Sequence, residues 1–253
     1  MPNSMFRNSF GQTIFERKYM NKADGCGTWS DLARVLVDRI CGQFLDSRDT
    51  EDLFWIIKDM KFIPAGRYLY YAGRPKLFIN NCFAFEAEDT REGWADLGSK
   101  HFLALMCGGG CGTAYGKVRP KGSLITKTGG TASGTLSLMK SMNEIGRNVM
   151  QGGQRRSALW AGLPWDHGDF KDFLQSKVYT DFQKKCKEED FDFPLPMDMT
   201  NISGIYDRKW YNAMKAGSTH AELMFLKNCM RACIDGEPGF LFAIMDEWIL
   251  RNA

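Results

Sequence analysis

No apolar run in this sequence approaches the roughly 18 residues that a membrane-spanning helix requires. The opening stretch, MPNSMFRNSFGQTIFERKY, lacks the continuous apolar segment of a secretory signal. Together these absences predict a soluble chain with no membrane partner. An excess of either charge is missing too. The 33 basic and 30 acidic side chains leave a net charge of +3, too even a balance to attract DNA or another polyanion in bulk, so any phosphate recognition has to be local. Histidine is scarce: His101, His167 and His220 form no local ligand pattern, and each is expected to be structural. The phosphate-loop pattern GxxxxGKS/T, the dinucleotide fingerprint GxGxxG, internal repeats and low-complexity tracts are also absent.

What is present is the makings of a core. The 253 residues are 44% apolar, 13% aromatic and 25% charged, enough for one large domain or two modest ones. Eight cysteines without a secretory signal predict reduced thiols in a cytoplasm rather than a disulfide scaffold. Leu32, Val35, Leu36, Ile40 and Phe44 recur at helical spacing over 28–45, with Thr28 and Asp31 as a capping box. Further helices are expected over 52–60, 90–106, 136–150, 169–176, 207–215 and 220–234, and short strands over 82–85 and 123–126. The apolar pattern in PGFLFAIMDEWILRNA runs to the last residues, which reads as a fragment or one half of a split protein.

The densest chemistry lies between Cys107 and Arg156. CGGGCG, TGGTASG and QGG alternate with Lys117, Arg119, Lys121, Lys127, Arg155 and Arg156. Glycine turns expose backbone amides and guanidinium groups bind phosphate in bidentate fashion, so a phosphorylated ligand is the natural guest; tight turns with solvated cations are the bland alternative. Cys82 follows Asn80-Asn81 and opens an alternating strand. Its thiol could face a cleft, although an unpaired cysteine is more often a small buried hydrophobe. Cys107 and Cys111, like Cys229 and Cys233, are four apart, a spacing less typical of zinc than CxxC.

Six segments, NNCFAFEAEDT, GGGCGTAYGKVRPKGS, TGGTASGTLSLM, QGGQRRSALW, TNISGIYD and GEPGFLF, occur in the order and spacing found in ribonucleotide reductase catalytic subunits. The chain resembles that family over roughly 63–242, and the TGGTASG and GQRR forms are most similar to its adenosylcobalamin-dependent class. The resemblance implies an α/β fold: an N-terminal helical region over 1–62, then over 63–253 the first half of a ten-stranded α/β barrel. It implies that Cys82 is one of two cysteines that reduce the ribose and end as a disulfide. Asn81, Gly116, Gln151 and Arg155 would contact the substrate, while Asp89, Lys127 and Ser133 would bind a deoxynucleotide or ATP effector. Lys127 to Ser133 resembles the first specificity loop and Gln151 to Ala158 the second.

The same resemblance marks what this chain does not carry. The family's radical cysteine follows the GEPGFLF block, and Ala253 comes before any such motif; the second reducing cysteine and the C-terminal cysteine pair are also absent. No N-terminal cone domain for overall activity control is found. The expected partners are therefore the remaining C-terminal part of a reductase, a ribonucleotide, an effector nucleotide and a dithiol reductant, with a homodimer among the assemblies allowed. Adenosylcobalamin is the expected cofactor, a radical-generating metal subunit the alternative, and no residue here is assigned to a metal. The rival function is a catalytically silent nucleotide-binding regulatory module.

Overall fold

The computed structural model describes residues 6–75, 79–126, 129–149 and 156–244. The chain divides into two compact units, Met1–Asn81 and Cys82–Ala253.

The first unit is helical. Helix α1 (Ser9–Ile14) runs into a π-helical turn over Phe15–Tyr19, and α2 (Trp29–Leu36) runs into another over Val37–Cys41. Helices α3 (Ser47–Lys58) and α4 (Gly66–Tyr71) follow. The expected capping box forms: Thr28 Oγ1 accepts from Asp31 N–H at 3.1 Å, and Asp31 Oδ2 accepts from Thr28 N–H at 2.8 Å. The apolar stripe stops sooner than its spacing suggests, because the α-helix gives way to the π turn after Leu36 and Phe44 ends up 84% exposed. Trp29, Leu32, Leu36, Phe54, Ile57 and Leu69 form the core. Trp29 Nε1 donates to the carbonyls of Ile57 (3.2 Å) and Lys58 (3.1 Å), satisfying both a buried indole and the end of α3.

In the second unit, β1 (Cys82–Glu86), α5 (Arg91–Met106) and β2 (Gly110–Ala114) come first. A small hairpin, β3 (Leu124–Ile125) and β4 (Gly130–Thr131), precedes α6 (Thr135–Asn148) and β5 (Leu159–Pro164). Then come α7 (Phe170–Leu174), α8 (Asp181–Glu189), β6 (Thr200–Asp207), α9 (Arg208–Lys215), α10 (Thr219–Asp235) and β7 (Gly239–Ala243). The five long strands form one sheet in the order β1-β2-β5-β6-β7, parallel throughout, with Cys82 opposite Gly110, Cys111 opposite Leu159, Leu159 opposite Thr200 and Ser203 opposite Gly239. Each parallel step needs a helical crossover, which α5, α6, α7–α8 and α9–α10 supply.

Because side chains alternate along a strand, this register sorts the sheet into two faces. Ala161, Leu163, Ile202 and Tyr206 share one core with Leu138, Met139 and Met142 of α6 and with Phe170, Phe173 and Met224. Phe83, Cys111 and Leu159 pack with Ala104 and Leu105 of α5. The opposite face carries Cys82, Ala84, Gly110, Gly112, Trp160, Gly162 and Asn201. A five-stranded parallel sheet with its helices on one side is the first half of the α/β barrel, and the sheet is not closed.

The glycine-rich stretch departs from expectation. Gly110–Ala114 is a strand of the sheet, second in order, and glycines on and beside it answer to packing. A Cβ at Gly109 would lie 2.3 Å from the Phe83 ring, and one at Gly162 would lie 2.3 Å from the Trp160 indole. The Trp160 ring also covers Gly112, where a Cβ would stand at 3.4 Å, and its Nε1 donates to Ser203 Oγ at 3.0 Å.

Candidate redox thiol and nucleotide cleft

Cys82 is a free, exposed thiol on the first residue of β1. Its neighbour across the ladder is Gly110, which has no side chain to crowd it. One position further, Cys111 pairs with Phe83, so the alternation puts it on the helix-covered face; it is 2% exposed. Burial, and secondarily the proximity of Cys82, pushes the Cys111 thiol up to about 11. It is held protonated at neutral pH, a small buried hydrophobe beside an accessible thiol.

A cleft of about 360 Å³ opens beyond the other end of β1. Asp89, Arg91, Trp94, Arg119, Ile125 and Ser133 are among its lining residues. The structure thus brings together two of the residues expected to hold an effector, Asp89 and Ser133, with Arg119, expected among the phosphate-binding cations, and adds two that the sequence reading passed over: Arg91 and Trp94. Arg119 Nε meets Asp89 Oδ2 at 2.6 Å. The N-terminus of α5, capped by Thr90, borders the cleft and contributes positive helix-end potential.

The base of the β3–β4 hairpin is stapled by one carboxylate. Asp169, 5% exposed, accepts from Lys121 N–H through Oδ1 and from both Thr135 N–H and Thr135 Oγ1 through Oδ2, each at 2.9 Å. Burial opposes ionisation of Asp169, but these hydrogen bonds outweigh it and hold the carboxyl below its ordinary 3.8. Gly134, at φ +83°, passes so close that a Cβ would meet Asp169 Oδ2 at 2.7 Å. Asp169→Asn is expected to cost about 1–3 kcal/mol in urea unfolding, since an amide cannot accept all three bonds. The carboxylate's contribution is full above pH 3.8 and is lost as pH falls through the lower folded value. An Asn variant with the wild-type acid transition would contradict this role.

His167 has a fixed structural tautomer: Nε2 donates to Val118 O at 2.7 Å and Nδ1 accepts from Asp169 N–H at 3.1 Å. His101 is buried against Thr113 Oγ1 at 2.9 Å, and burial lowers it to about 4, so it is neutral at physiological pH. Its Nδ1 has no hydrogen-bond partner among the described residues.

Of the remaining expected site residues, Gln151, Arg155 and Lys127 lie outside the described residues. The two ends of the 150–156 stretch are joined by Ser157 Oγ donating to Val149 O at 2.6 Å. Arg156 pairs with Asp192 and stacks 4.0 Å above the Phe191 ring. Asn81 is exposed at the end of the first unit. Gly116 is exposed past the C-terminal end of β2, and a Cβ there would strike Pro164 at 2.8 Å, so packing alone already demands glycine. Cys82 and Gly116 lie at opposite ends of adjacent strands, six residues of register and roughly 20 Å apart.

Three of the cations expected to cradle an anion, Lys117, Arg119 and Arg156, already have carboxylate partners. Lys117 Nζ sits 2.6 Å from Glu86 and 2.9 Å from Glu88, and Arg119 is held by Asp89. The 108–116 glycines with Lys117 therefore do not form a free phosphate nest. Among the described residues no group of three or more His, Cys, Asp or Glu could hold a metal ion, and no helix is long and apolar enough to cross a membrane.

Residues 80–214, more than half of the chain, match the family model of the ribonucleotide reductase barrel domain. The chain belongs to that family. It is 33% identical over 124 residues to the vitamin B12-dependent ribonucleoside-diphosphate reductase of Mycobacterium tuberculosis, covering 49% of this chain and 18% of the relative. It is 28% identical over 174 residues to the ribonucleoside-diphosphate reductase large chain of Schizosaccharomyces pombe, covering 66% of this chain and 21% of the relative. Its fold is similar to that of the Actinobacillus ureae class Id ribonucleotide reductase alpha subunit, with a TM-score of 0.71 at 16% identity over 93% of this chain and 40% of the other. The chain spans about a fifth of the length of the curated relatives it matches.

Proposed function

We propose that this chain is the N-terminal segment of a ribonucleotide reductase of the adenosylcobalamin-dependent kind, and that it turns over only when joined to the remaining C-terminal part. The observation that carries the reading is Cys82: an accessible thiol on the first strand of a reductase barrel half, with glycine across the ladder. The vitamin B12-dependent naming of relatives in Mycobacterium tuberculosis and Thermoplasma acidophilum supports the class. Bound adenosylcobalamin supplies the radical; none of this chain's residues is assigned to the cofactor, and no step here passes through it.

In the joined enzyme a thiyl radical on a cysteine of the remaining chain removes the ribose 3′ hydrogen, water leaves C2′, and the same cysteine returns the hydrogen to C3′ at the end, regenerating its radical. Cys82 and a partner thiol each lose one hydrogen to the substrate, so that ribonucleotide and two thiols become deoxyribonucleotide, water and one disulfide. A dithiol reductant then restores the thiols. Asn81, Gly116, Gln151 and Arg155 contact the substrate. Asp89, Lys127 and Ser133 take a deoxynucleotide or ATP effector, which biases the choice of substrate. The strand separates thiol from effector cleft by roughly 13 Å, so their coupling is between two sites.

The test is deoxyribonucleotide formation from a ribonucleoside diphosphate, with adenosylcobalamin and a dithiol, by this chain, by the remaining part and by their mixture. Activity in the mixture alone is the expected result. An inactive mixture whose N-terminal chain still binds a deoxynucleotide would replace this reading with the silent regulatory module.

A further inference from the structure

We propose that α10 carries a site for one soft, thiophilic monovalent ion, Cu(I), held by the thiolates of Cys229 and Cys233 with the Met230 thioether beside them. Both cysteines are free thiols, Cys229 half-buried and Cys233 exposed. They stand four residues apart in the 17-residue helix Thr219–Asp235, one turn along it and about 40° apart around its axis. Met230, 63% exposed, lies about 60° from Cys233 on the same side. Helical neighbours at this spacing keep their Cβ atoms roughly 5–6 Å apart, whereas a disulfide needs roughly 3.5–4.5 Å, so the pair does not close on itself within an intact helix. A metal bound at roughly 2.3 Å to each sulfur spans the gap. Zinc wants four ligands, and among the described residues no group of three or more His, Cys, Asp or Glu is placed to hold a metal. A soft ion is satisfied by thiolate and thioether sulfur alone.

An independent feature points to the same spot. Tyr206 of β6 is fully buried, and its phenol oxygen has no hydrogen-bond partner among the described residues. Its ring meets Phe225 edge-on at 5.2 Å, and Phe225 is one helical turn before Cys229. The hydroxyl lies near enough to Cys229 for that thiol to reinforce the burial that keeps the phenol protonated. Phenylalanine would fill the same space without stranding an O–H donor. A neutral thiol is a weak acceptor, whereas a thiolate is a strong one. Burial, and secondarily Cys233, pushes the Cys229 thiol up, so the metal-free pair stays protonated at neutral pH. Cu(I) displaces both thiol protons to solvent and forms a dithiolate complex of charge −1, whose Cys229 sulfur accepts the Tyr206 O–H. Tyr206 then orients one ligand from the core side, as hydrogen-bond partners of metal ligands do.

Anaerobic titration of the full chain with Cu(I) in competition with bicinchoninate, followed by X-ray absorption at the copper edge, tests the site. One Cu(I) per chain with only sulfur neighbours is expected. Cys229→Ser and Cys233→Ser should each weaken binding at least about tenfold, and Tyr206→Phe about tenfold, the scale on which loss of a ligand's hydrogen-bond partner is felt. Met230→Leu should lower the number of sulfur neighbours; an unchanged number removes the thioether from the site. Cys82 is three strands away in the sheet, so Cys82→Ser should bind Cu(I) as wild type does. Retained binding in the Cys229→Ser/Cys233→Ser double variant, or loss in Cys82→Ser instead, would overturn the site. Zn(II) bound as tightly as Cu(I) would overturn the choice of ion, and wild-type affinity in Tyr206→Phe would overturn the role of the phenol. If circular dichroism shows that Cys229→Ser loses its fold, the exposed Cys233→Ser carries the comparison.

Discussion

Replacing Cys82 with serine is expected to lower dithiol-driven turnover of the reconstituted reductase by at least about 10⁴-fold, the scale on which enzymes respond to loss of a group that does covalent chemistry. Serine preserves size and strand geometry, so the first strand and its pairing with Gly110–Ala114 remain. What it removes is the ability to give up a hydrogen and close a disulfide. Effector binding in the Asp89 cleft, at the other end of β1, should stay within about twofold of wild type, because Cys82 is not among the residues that line the cleft. Two neighbouring thiols allow a control. Cys111→Ser is expected to damage stability rather than chemistry, since it places a hydroxyl in an apolar site that is 2% exposed. If Cys82→Ser retains turnover and Cys111→Ser loses it while folded, the wrong cysteine carries the reduction.

The second large effect concerns stability. Asp198, with an 8% exposed side chain, accepts from Arg147 Nη2 at 2.5 Å and from Lys187 Nζ at 2.9 Å. Arg147 Nη2 also donates to the Leu195 carbonyl at 3.1 Å, tying the end of α6 to the segment before β6. Asp198→Ala leaves two mostly buried cations without their shared carboxylate, and a loss of about 3–5 kcal/mol in denaturant unfolding is expected. Burial opposes ionisation of Asp198, but the Arg147 and Lys187 hydrogen bonds prevail and hold it down to about 2. A depressed folded value means that the carboxylate stabilises the fold above its ordinary 3.8 and loses that contribution as pH falls toward 2. The variant should therefore show a flatter stability profile between those values. An unchanged midpoint in Asp198→Ala would show that the network is ornamental.

Local chemistry was legible in the sequence where a neighbour three or four residues away decides it. The Thr28–Asp31 box and the alternating strand from Cys82 are both short-range patterns, and the structure carries each. Helix α8 was overlooked although Thr180 and Gln183 form a second capping box, a signal of the same kind. Strands β2, β5 and β7 gave no alternation to find. In a parallel sheet they are ordered by neighbours, and Gly109, just before β2, is there because the Phe83 ring needs the space. That misdirected the reading of 108–116 toward an anion nest, while the cations beside it were already matched by Glu86, Glu88 and Asp89.

Long-range organisers were invisible for the same reason. Asp169 reaches back 48 residues to Lys121, and Arg147 reaches forward 51 residues to Asp198. Neither carries a motif of its own. Asp89 and Ser133 were named through resemblance; their presence in one cleft, and Arg119 between them and the hairpin, emerged only from the fold.

The central claim is that Cys82 supplies one of the two reducing hydrogens, and a single turnover without external reductant tests it most directly. The complete enzyme is mixed with a ribonucleoside diphosphate and adenosylcobalamin, quenched with iodoacetamide, and its cysteines are mapped by mass spectrometry. The account predicts about one deoxyribonucleotide per active site, with Cys82 converted in step from alkylatable thiol to a disulfide. Deoxyribonucleotide formed while Cys82 remains fully alkylated would contradict it.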